Sequence, residues 1–299
     1  MIQTTLHQLK VFETSARLGS FTKAAEELDI TQPTVSSQIK HLSKVIGLPL
    51  FEQIGRQIYL TETGEELLLT CKGVFSQLDN FEMKVASFKG TKQGKLKLAV
   101  ITTAKYFVLR LLGSFCELYP DIDVSLEVVN HQQIEKRMLA NQDDLYILSQ
   151  PPKEIELKSK AFLDNPLVVI AKEDNKLSKK KKISPQDLQD YPFILREIGS
   201  GTRKIVQNFF QTNNLNIKVR FELGSNEAIK QAILGGLGIS ILSKHTLNPN
   251  MNEGLNILNV KGFPIHQNWY ISYLSGKELS VISQSFFDFI ITNSQEYLI

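Results

Sequence analysis

Cysteine is almost absent from this 299-residue chain, which has only Cys71 and Cys116. Two thiols, each in an apolar helical pattern, fit a reducing compartment better than a disulfide framework. No apolar run approaches the roughly 20 residues of a membrane helix, and no basic-then-apolar leader opens the chain. Neither a span nor a signal peptide is expected, which argues against a secreted binding protein. The five histidines, at 7, 41, 131, 245 and 266, lack metal-ligand spacing. Excess charge is also missing. The net charge is +3, and residues 1–90 hold nine Lys/Arg against ten Asp/Glu. Affinity for any polyanion must then come from locally placed cations and from oligomerisation. Arginine is rare, 7 against 27 lysines, which with many Asn and Ile suggests an AT-rich genome. Close pairs of arginines therefore become informative.

What is present starts at Ser20. Residues 20–42 read Ser-Phe-Thr-Lys-Ala-Ala-Glu-Glu-Leu-Asp-Ile-Thr-Gln-Pro-Thr-Val-Ser-Ser-Gln-Ile-Lys-His-Leu. Ser20 is a good N-cap, and Ala24, Ala25 and Leu28 give a narrow apolar face that lets a second helix pack close. Asp29-Ile30 makes a turn. Thr31 can cap the next helix, with Pro33 in its first turn, where a missing N–H costs nothing. Val35, Ile39, Leu42 and Ile46 share one stripe. At about 100° per residue, Pro33, Ser37, Lys40 and Lys44 point the other way, flanked by Thr34, Ser36, Gln38 and His41. Hydroxyls and amides can read base edges, and lysines can contact phosphate. A plain helical hairpin with a polar outer face is the alternative. The flanks favour a helix-turn-helix. Leu6, Leu9, Phe12 and Ala16 mark a preceding helix, and Phe51–Leu60 reads as a hairpin, or wing, turning at Gly55. Candidate DNA contacts are Thr31, Gln32, Pro33, Thr34, Ser36, Ser37, Gln38, Lys40, His41 and, at the wing tip, Arg56.

Thr61 can cap a long helix from Glu62. Leu67, Cys71, Val74, Leu78, Phe81, Val85 and Phe88 recur at alternating spacings of four and three, a heptad seam of about three repeats. Only Gly73 interrupts it, at about 1 kcal/mol. Pairing with a second copy would present two readers to a palindrome. The alternative is an amphipathic helix packed on its own domain. We favour pairing, because a rod between two domains has little of its own chain to bury against.

Residues 90–94, Gly-Thr-Lys-Gln-Gly, form a polar break that suits a hinge. With Lys95 they mimic a phosphate loop, but the spacing is one residue short and Leu96 stands where Ser or Thr is needed. Strands are then expected at 96–101, 122–129 and 144–148, with helices from the strand end through Tyr119 and over 132–140. A second set has strands at 166–171, 193–195, 218–223 and 239–242, with helices at 203–212 and from Asn226. A strand at 268–274 and a helix over 278–291 complete the chain. Such alternation implies two α/β subdomains with largely parallel sheets, so the whole chain is α+β. Ligands in such folds bind beyond the carboxyl ends of strands. Two of those ends are chemically loaded. Thr102-Thr103-Ala104 opens a helix, where free N–H groups favour an anion. Arg196 to Arg203 combines glycines, Ser200, Thr202 and two of the seven arginines, a residue suited to bidentate capture of carboxylate or phosphate. Ordinary capping with surface arginines is the alternative. The basic run Lys179–Lys182, near Lys176, reads as a solvated loop.

The order three helices, wing, long helix, two-part domain resembles the LysR-type transcriptional regulators over the whole chain. The runs 99–107, 141–152 and 193–203, and the wing Phe51–Arg56 including Gln53, resemble the CbbR/CmpR group of carbon-fixation and bicarbonate-uptake regulators. The usual wing of the family has an arginine where this chain has Gln53, which puts more weight on Arg56. The resemblance implies a winged helix-turn-helix at 1–61, a linker and dimerisation helix at 62–89 and a hinge at 90–94. It implies an effector domain like a type 2 periplasmic-binding protein, with subdomain I at 95–165 and 265–299 and subdomain II at 166–264. The effector would lie between rims formed by Thr102, Thr103 and Ala104 and by Arg196, Ser200, Gly201, Thr202 and Arg203, with Asn130 and Gln150 nearby. The implied partners are promoter DNA, a homotetramer of two dimers and, for an activator, RNA polymerase. The implied effector is a phosphorylated metabolite, 2-phosphoglycolate or ribulose 1,5-bisphosphate, with another anion such as 2-oxoglutarate as the alternative. No metal or cofactor is expected. The implied setting is the cytoplasm of a cyanobacterium or another autotroph, or a plastid stroma. A DNA-tethered enzyme is the remote alternative. Neither rim carries a carboxylate pair or a Ser-His or Cys-His pairing.

Overall fold

The computed structural model describes residues 3–55, 57–88, 93–247 and 254–297. The chain divides into two compact units, Met1–Val85 and Ala86–Ile299.

The first unit holds α1 (Leu6–Leu18), α2 (Phe21–Glu27), α3 (Gln32–Ile46), the hairpin β1 (Phe51–Ile54) and β2 (Gln57–Leu60), and most of α4 (Glu62–Phe88). Its caps follow the sequence. Thr5 and Gln8 form a capping box on α1, and the Ser20 and Thr31 hydroxyls accept from the third residues of α2 and α3. The α2–α3 turn places Asp29 at φ 52, a left-handed conformation that aspartate tolerates. Leu9, Phe12, Ala24, Ala25, Val35, Ile39 and Leu42 form the core. Phe51 seals it from the wing side, its ring 5.4 Å from Phe12 and 5.3 Å from Phe21.

The start of α4 is locked to the base of the wing. Thr61 donates its hydroxyl proton to the Pro49 carbonyl at 2.7 Å and accepts from the Gly64 N–H at 3.1 Å. A Cβ on Gly64 would lie 2.2 Å from the Leu50 carbonyl oxygen, so only glycine permits this approach. The seam drawn from Leu67 is corrected here. Leu67 packs on the head's own core and Cys71 is fully buried in it, joined by Leu68 and Phe75. The close approach at Gly64 supplies the intramolecular surface that the sequence had not revealed. Val74 and Val85 are half-buried, whereas Leu78, Phe81 and Phe88 are exposed. Burial, reinforced by Glu13, pushes the Cys71 thiol up to about 11, which keeps it protonated and unreactive.

The second unit contains two sheets. The first is built from β3 (Gly94–Ile101), α5 (Lys105–Leu118), β4 (Ile122–Val129), α6 (His131–Leu139), β5 (Leu145–Leu148) and β6 (Leu157–Asp164). The second uses β7 (Leu167–Lys172), β8 (Pro192–Arg196), α7 (Gly201–Thr212), β9 (Lys218–Leu223), α8 (Asn226–Leu234), β10 (Ser240–Ser243) and β11 (Leu255–Leu258). The chain then returns to the first sheet through β12 (Asn268–Leu274) and α9 (Val281–Asn293). The first sheet runs β4-β3-β5-β12-β6, with β3 parallel to β4 and β5, and β12 antiparallel to both its neighbours. In the second, β10-β7-β11 is antiparallel and β8-β9 parallel. A parallel bridge between Phe193 and Ile239 joins them, with the Ile194 N–H donating to the Ile239 carbonyl at 2.9 Å. The running order is then β9-β8-β10-β7-β11, the same arrangement as the first sheet.

The expectation of largely parallel sheets is therefore too simple, because each sheet carries antiparallel strands beside its parallel βαβ core. Strands β6 and β11 were not foreseen. Most of β6 is exposed, with Lys158 and Lys160 interrupting the apolar pattern, and β11 is four residues long. Helix α9 begins at Val281 rather than 278, because Ser280 caps it by accepting from Ser283 N–H at 3.1 Å. Helix α7 begins earlier than expected, at Gly201, with Ser200 as its cap. Of the expected hinge, residues 90–92 lie outside the described residues, and Gly94 is paired with Ile122 in β3.

Candidate functional site

Helix α3 turns its apolar stripe inward and leaves Thr31, Gln32, Pro33, Thr34, Ser37, Lys40 and His41 exposed, with Ser36 and Gln38 half-buried. Three of these side chains are already engaged. Thr31 caps the helix and bonds the Thr34 hydroxyl at 2.8 Å, and His41 Nδ1 lies 3.0 Å from the Gln8 amide nitrogen. Free hydroxyls, amides and Lys40 remain on a convex face, as a groove reader needs. On the wing, Gln53 donates to the Gly55 carbonyl at 3.0 Å, so it braces the hairpin tip. Arg56 lies outside the described residues.

In the second unit, both loaded strand ends meet the other subdomain. The β8–α7 junction sits on the start of α6: the Gln132 N–H donates to the Gly199 carbonyl at 3.2 Å. A Cβ on Gly201 would lie 3.2 Å from His131 Cδ2 and 3.7 Å from Ser149 Oγ. Gly199 stands at φ +90, which other residues adopt with strain. Asn130 forms a capping box with Gln133, and Gln150 donates weakly to Gln267 at 3.4 Å. On the opposite side, the β3–α5 junction faces the start of α8.

The arginines behave differently from the expectation. Arg196 is 3% exposed and is held by four bonds to three residues. It gives 2.8 and 2.9 Å bonds to Glu197, one of 2.9 Å to Asn226 Oδ1 and one of 2.9 Å to Thr102 Oγ1. It is a strut between the subdomains, neutralised by its neighbour. Arg203 turns back to the Arg196 carbonyl at 3.0 Å and to Glu222 at 2.7 Å. Both guanidiniums therefore find their anions and acceptors inside the protein. A guanidinium beside a carboxylate in low dielectric forms such bonds in preference to remaining unpaired.

The open groups are neutral. Thr103 and Ser149 are both 4% exposed, and neither hydroxyl has a hydrogen-bond partner among the described residues. Ala104, at the N-cap of α5, has no side chain able to satisfy the first-turn N–H groups. Hydroxyls beside an uncapped helix start suit the oxygens of a small anion. The sequence reading found Thr103 and Ala104 by the strand-end rule. It missed Ser149, one residue before Gln150, and it missed His131, Asn226 and Glu227, which open α6 and α8. The same rule applied at every strand end would have found them. Among the described residues no cluster of His, Cys, Asp and Glu could hold a metal ion.

A model of the "LysR substrate binding domain" matches residues 89–295, and one of the "Bacterial regulatory helix-turn-helix protein, lysR family" matches residues 6–65. The chain belongs to the LysR family of transcriptional regulators. It is 52% identical to the HTH-type transcriptional activator CmpR of Synechocystis over 296 residues, 99% of this chain and 97% of that one. It is 45% identical to a RuBisCO operon transcriptional regulator of Acidithiobacillus ferrooxidans, over 98% and 95% of the two chains. This LysR-type chain thus falls in the CmpR/CbbR group. Among solved structures, the Synechocystis CcmR regulatory domain in complex with 2-PG is 57% identical, with a TM-score of 0.65, covering 67% of this chain and 97% of that one. Full-length CbnR with its target DNA has a TM-score of 0.68 over 96% and 99% of the chains, at 18% identity, a likeness of fold. Among the described residues no helix is long and apolar enough to cross a membrane.

Proposed function

We propose that this LysR-type regulator activates genes of inorganic-carbon uptake or CO2 fixation in response to a phosphorylated metabolite, 2-phosphoglycolate before ribulose 1,5-bisphosphate. The metabolite sits between the subdomains. The observation that carries this reading is the pair of hydroxyls of Thr103 and Ser149, each on a buried residue and without a hydrogen-bond partner among the described residues, beside the uncapped start of α5. The 57% identity to a regulatory domain solved with 2-PG supports the chemical class. The exposed face of α3 reads the operator. Exposed Leu78, Phe81 and Phe88, with half-buried Val85, pair α4 with a second copy, and two dimers build a tetramer on DNA in the cytoplasm. Effector binding shifts the two subdomains and so alters the spacing of the reader heads and the bend of the DNA. RNA polymerase contact follows from activation.

A thermal-shift titration with 2-phosphoglycolate, ribulose 1,5-bisphosphate, 2-oxoglutarate and inorganic phosphate tests the effector, since a native-state ligand raises apparent stability by mass action. The expected result is a shift specific to a phosphorylated metabolite, abolished in Thr103→Val/Ser149→Ala. It should be accompanied by a changed footprint or bend on promoter DNA. A shift with 2-oxoglutarate alone establishes the dicarboxylate reading, since the same donors accept carboxylate oxygens. No shift and no change in footprint overturn both.

A further inference from the structure

The α8 end of the cleft is closed by a charge cluster that no step above uses. Glu227, in the first turn of α8, reaches across to α5. Its carboxylate accepts a hydrogen bond from the Tyr106 hydroxyl and lies 3.4 Å from Lys105 Nζ. From its own subdomain, the Ser225 hydroxyl donates to it at 3.3 Å and Lys230 Nζ stands 4.0 Å away. Both lysines lie over the Tyr106 ring, at 5.2 and 5.4 Å from its centroid, so the aromatic face fixes two cations around one carboxylate. Lys230 is held in place by a 3.0 Å bond to the Thr246 carbonyl. Partial burial alone would raise the carboxyl's pKa. The Tyr106 hydroxyl, the residue's own N–H and the two lysines outweigh that and keep it below the usual range.

This cluster occupies the first turn of α5, one residue beyond Ala104. An effector anion at the uncapped start of α5 would therefore sit within a few residues of Lys105 and of the carboxylate that neutralises it. Two anions so close repel, and they compete for one lysine. We infer that Glu227 is an internal counter-anion: it ties α8 to α5 in the effector-free regulator, and the entering effector displaces it. This deepens the effector reading above and rests on it. Glu227 thereby sets the threshold of the response. A weak or singly charged anion cannot displace a carboxylate held by a phenol and two lysines, whereas a phosphorylated acid brings the charge to do so.

The chain contains one tryptophan, Trp269 on β12. It is fully buried, 5.2 Å from the Phe107 ring of α5, and its indole N–H has no partner among the described residues. Its fluorescence therefore reports movement of α5 without a label. The test uses full-length wild type and Glu227→Gln, which retains size and hydrogen bonding to Tyr106 but not charge. Acrylamide quenching of Trp269 is measured without ligand, and 2-phosphoglycolate is then titrated. The expected results are stronger quenching of the effector-free variant and about threefold tighter binding, the scale of one partly exposed ion pair. Tyr106→Phe should also raise quenching, because it cuts the tether and leaves the charge. Identical quenching in all three proteins overturns the tether, and equal or weaker binding by Glu227→Gln overturns the competition. If wild type ignores 2-phosphoglycolate while Glu227→Gln still alters quenching, the tether stands and the effector assignment fails.

Discussion

The two halves of the sensor are built alike and closed differently. β3-α5-β4-α6-β5 and β8-α7-β9-α8-β10 are both βαβαβ units with the second strand at one edge, then the first, then the third. In each, the junction after the first strand meets the second helix of the other unit. At the β8–α7 junction the contact is backbone and glycine: Gln132 N–H on the Gly199 carbonyl, with Gly201 against His131 and Ser149. At the β3–α5 junction it is ionic: Arg196 bonded to Thr102 and Asn226, and Glu227 to Lys105 and Tyr106. Repeated topology supplies two equivalent closures. Side-chain chemistry then makes one a steric fit and the other a releasable set of charges, which suits a sensor that must move for an anion.

Breaking the ionic closure at its buried member should give the largest effect. Arg196→Ala leaves Glu197 and Asn226 without their donor, at a cost of about 3 kcal/mol in urea unfolding of the sensor. A loss under about 1 kcal/mol would mean that the guanidinium is replaceable by water. Breaking the steric closure comes next. Gly201→Val puts methyl groups against His131, an overpacking worth about tenfold in 2-phosphoglycolate affinity by titration, with little change in secondary structure by circular dichroism. Unaltered affinity would show that the α6 side does not need to close. Arg203→Gln is smaller. It removes bonds to Glu222 and the Arg196 carbonyl for about 1 kcal/mol, while effector affinity stays within about twofold. A tenfold loss of affinity would return Arg203 to the ligand.

The same asymmetry explains what the sequence could convey. Helix α3 was legible because its signals are local: Thr31 as cap, Pro33 in the first turn and a stripe from Val35 to Ile46 lie within one helix. The β4 and β12 boundaries were likewise written in their own residues. The strut was not. Arg196 is visible as a cation near glycines, but its partners Thr102 and Asn226 lie 94 and 30 residues away, and only the fold brings them together. The inward-facing role of Cys71 depended on a similarly distant fact, the glycine contact between Gly64 and Leu50. Edge strands such as β6 carry lysines in their pattern because one side faces water, which hides them from a search for apolar runs.

The third strands end differently too, and this gives the mildest test. After β5 comes Ser149, whose hydroxyl has no partner among the described residues. β10 ends in Ser243, bonded to Asn165 at 2.6 Å, and is followed by His245, whose Nε2–H donates to the Asp164 carbonyl at 2.7 Å. The His245 ring lies 5.4 Å from Phe107 and 6.3 Å from Trp269. Burial lowers its pKa below the ordinary 6.5, and the Asp164 carbonyl only partly opposes this. The sign follows from proton counting. Below about pH 6.5 the unfolded chain takes up a proton that the folded ring refuses, so stability is complete above that pH and falls as pH drops toward the folded value. His245→Gln keeps a donor for the Asp164 carbonyl but cannot titrate. It should lose about 1 kcal/mol of aromatic packing at every pH and show a shallower decline between pH 6.5 and 5 than wild type, both measured by urea unfolding. Parallel declines in the two proteins would place the acid sensitivity elsewhere. A steeper decline in wild type would make the β10 end, like the β3–α5 junction, a place where charge and closure are linked.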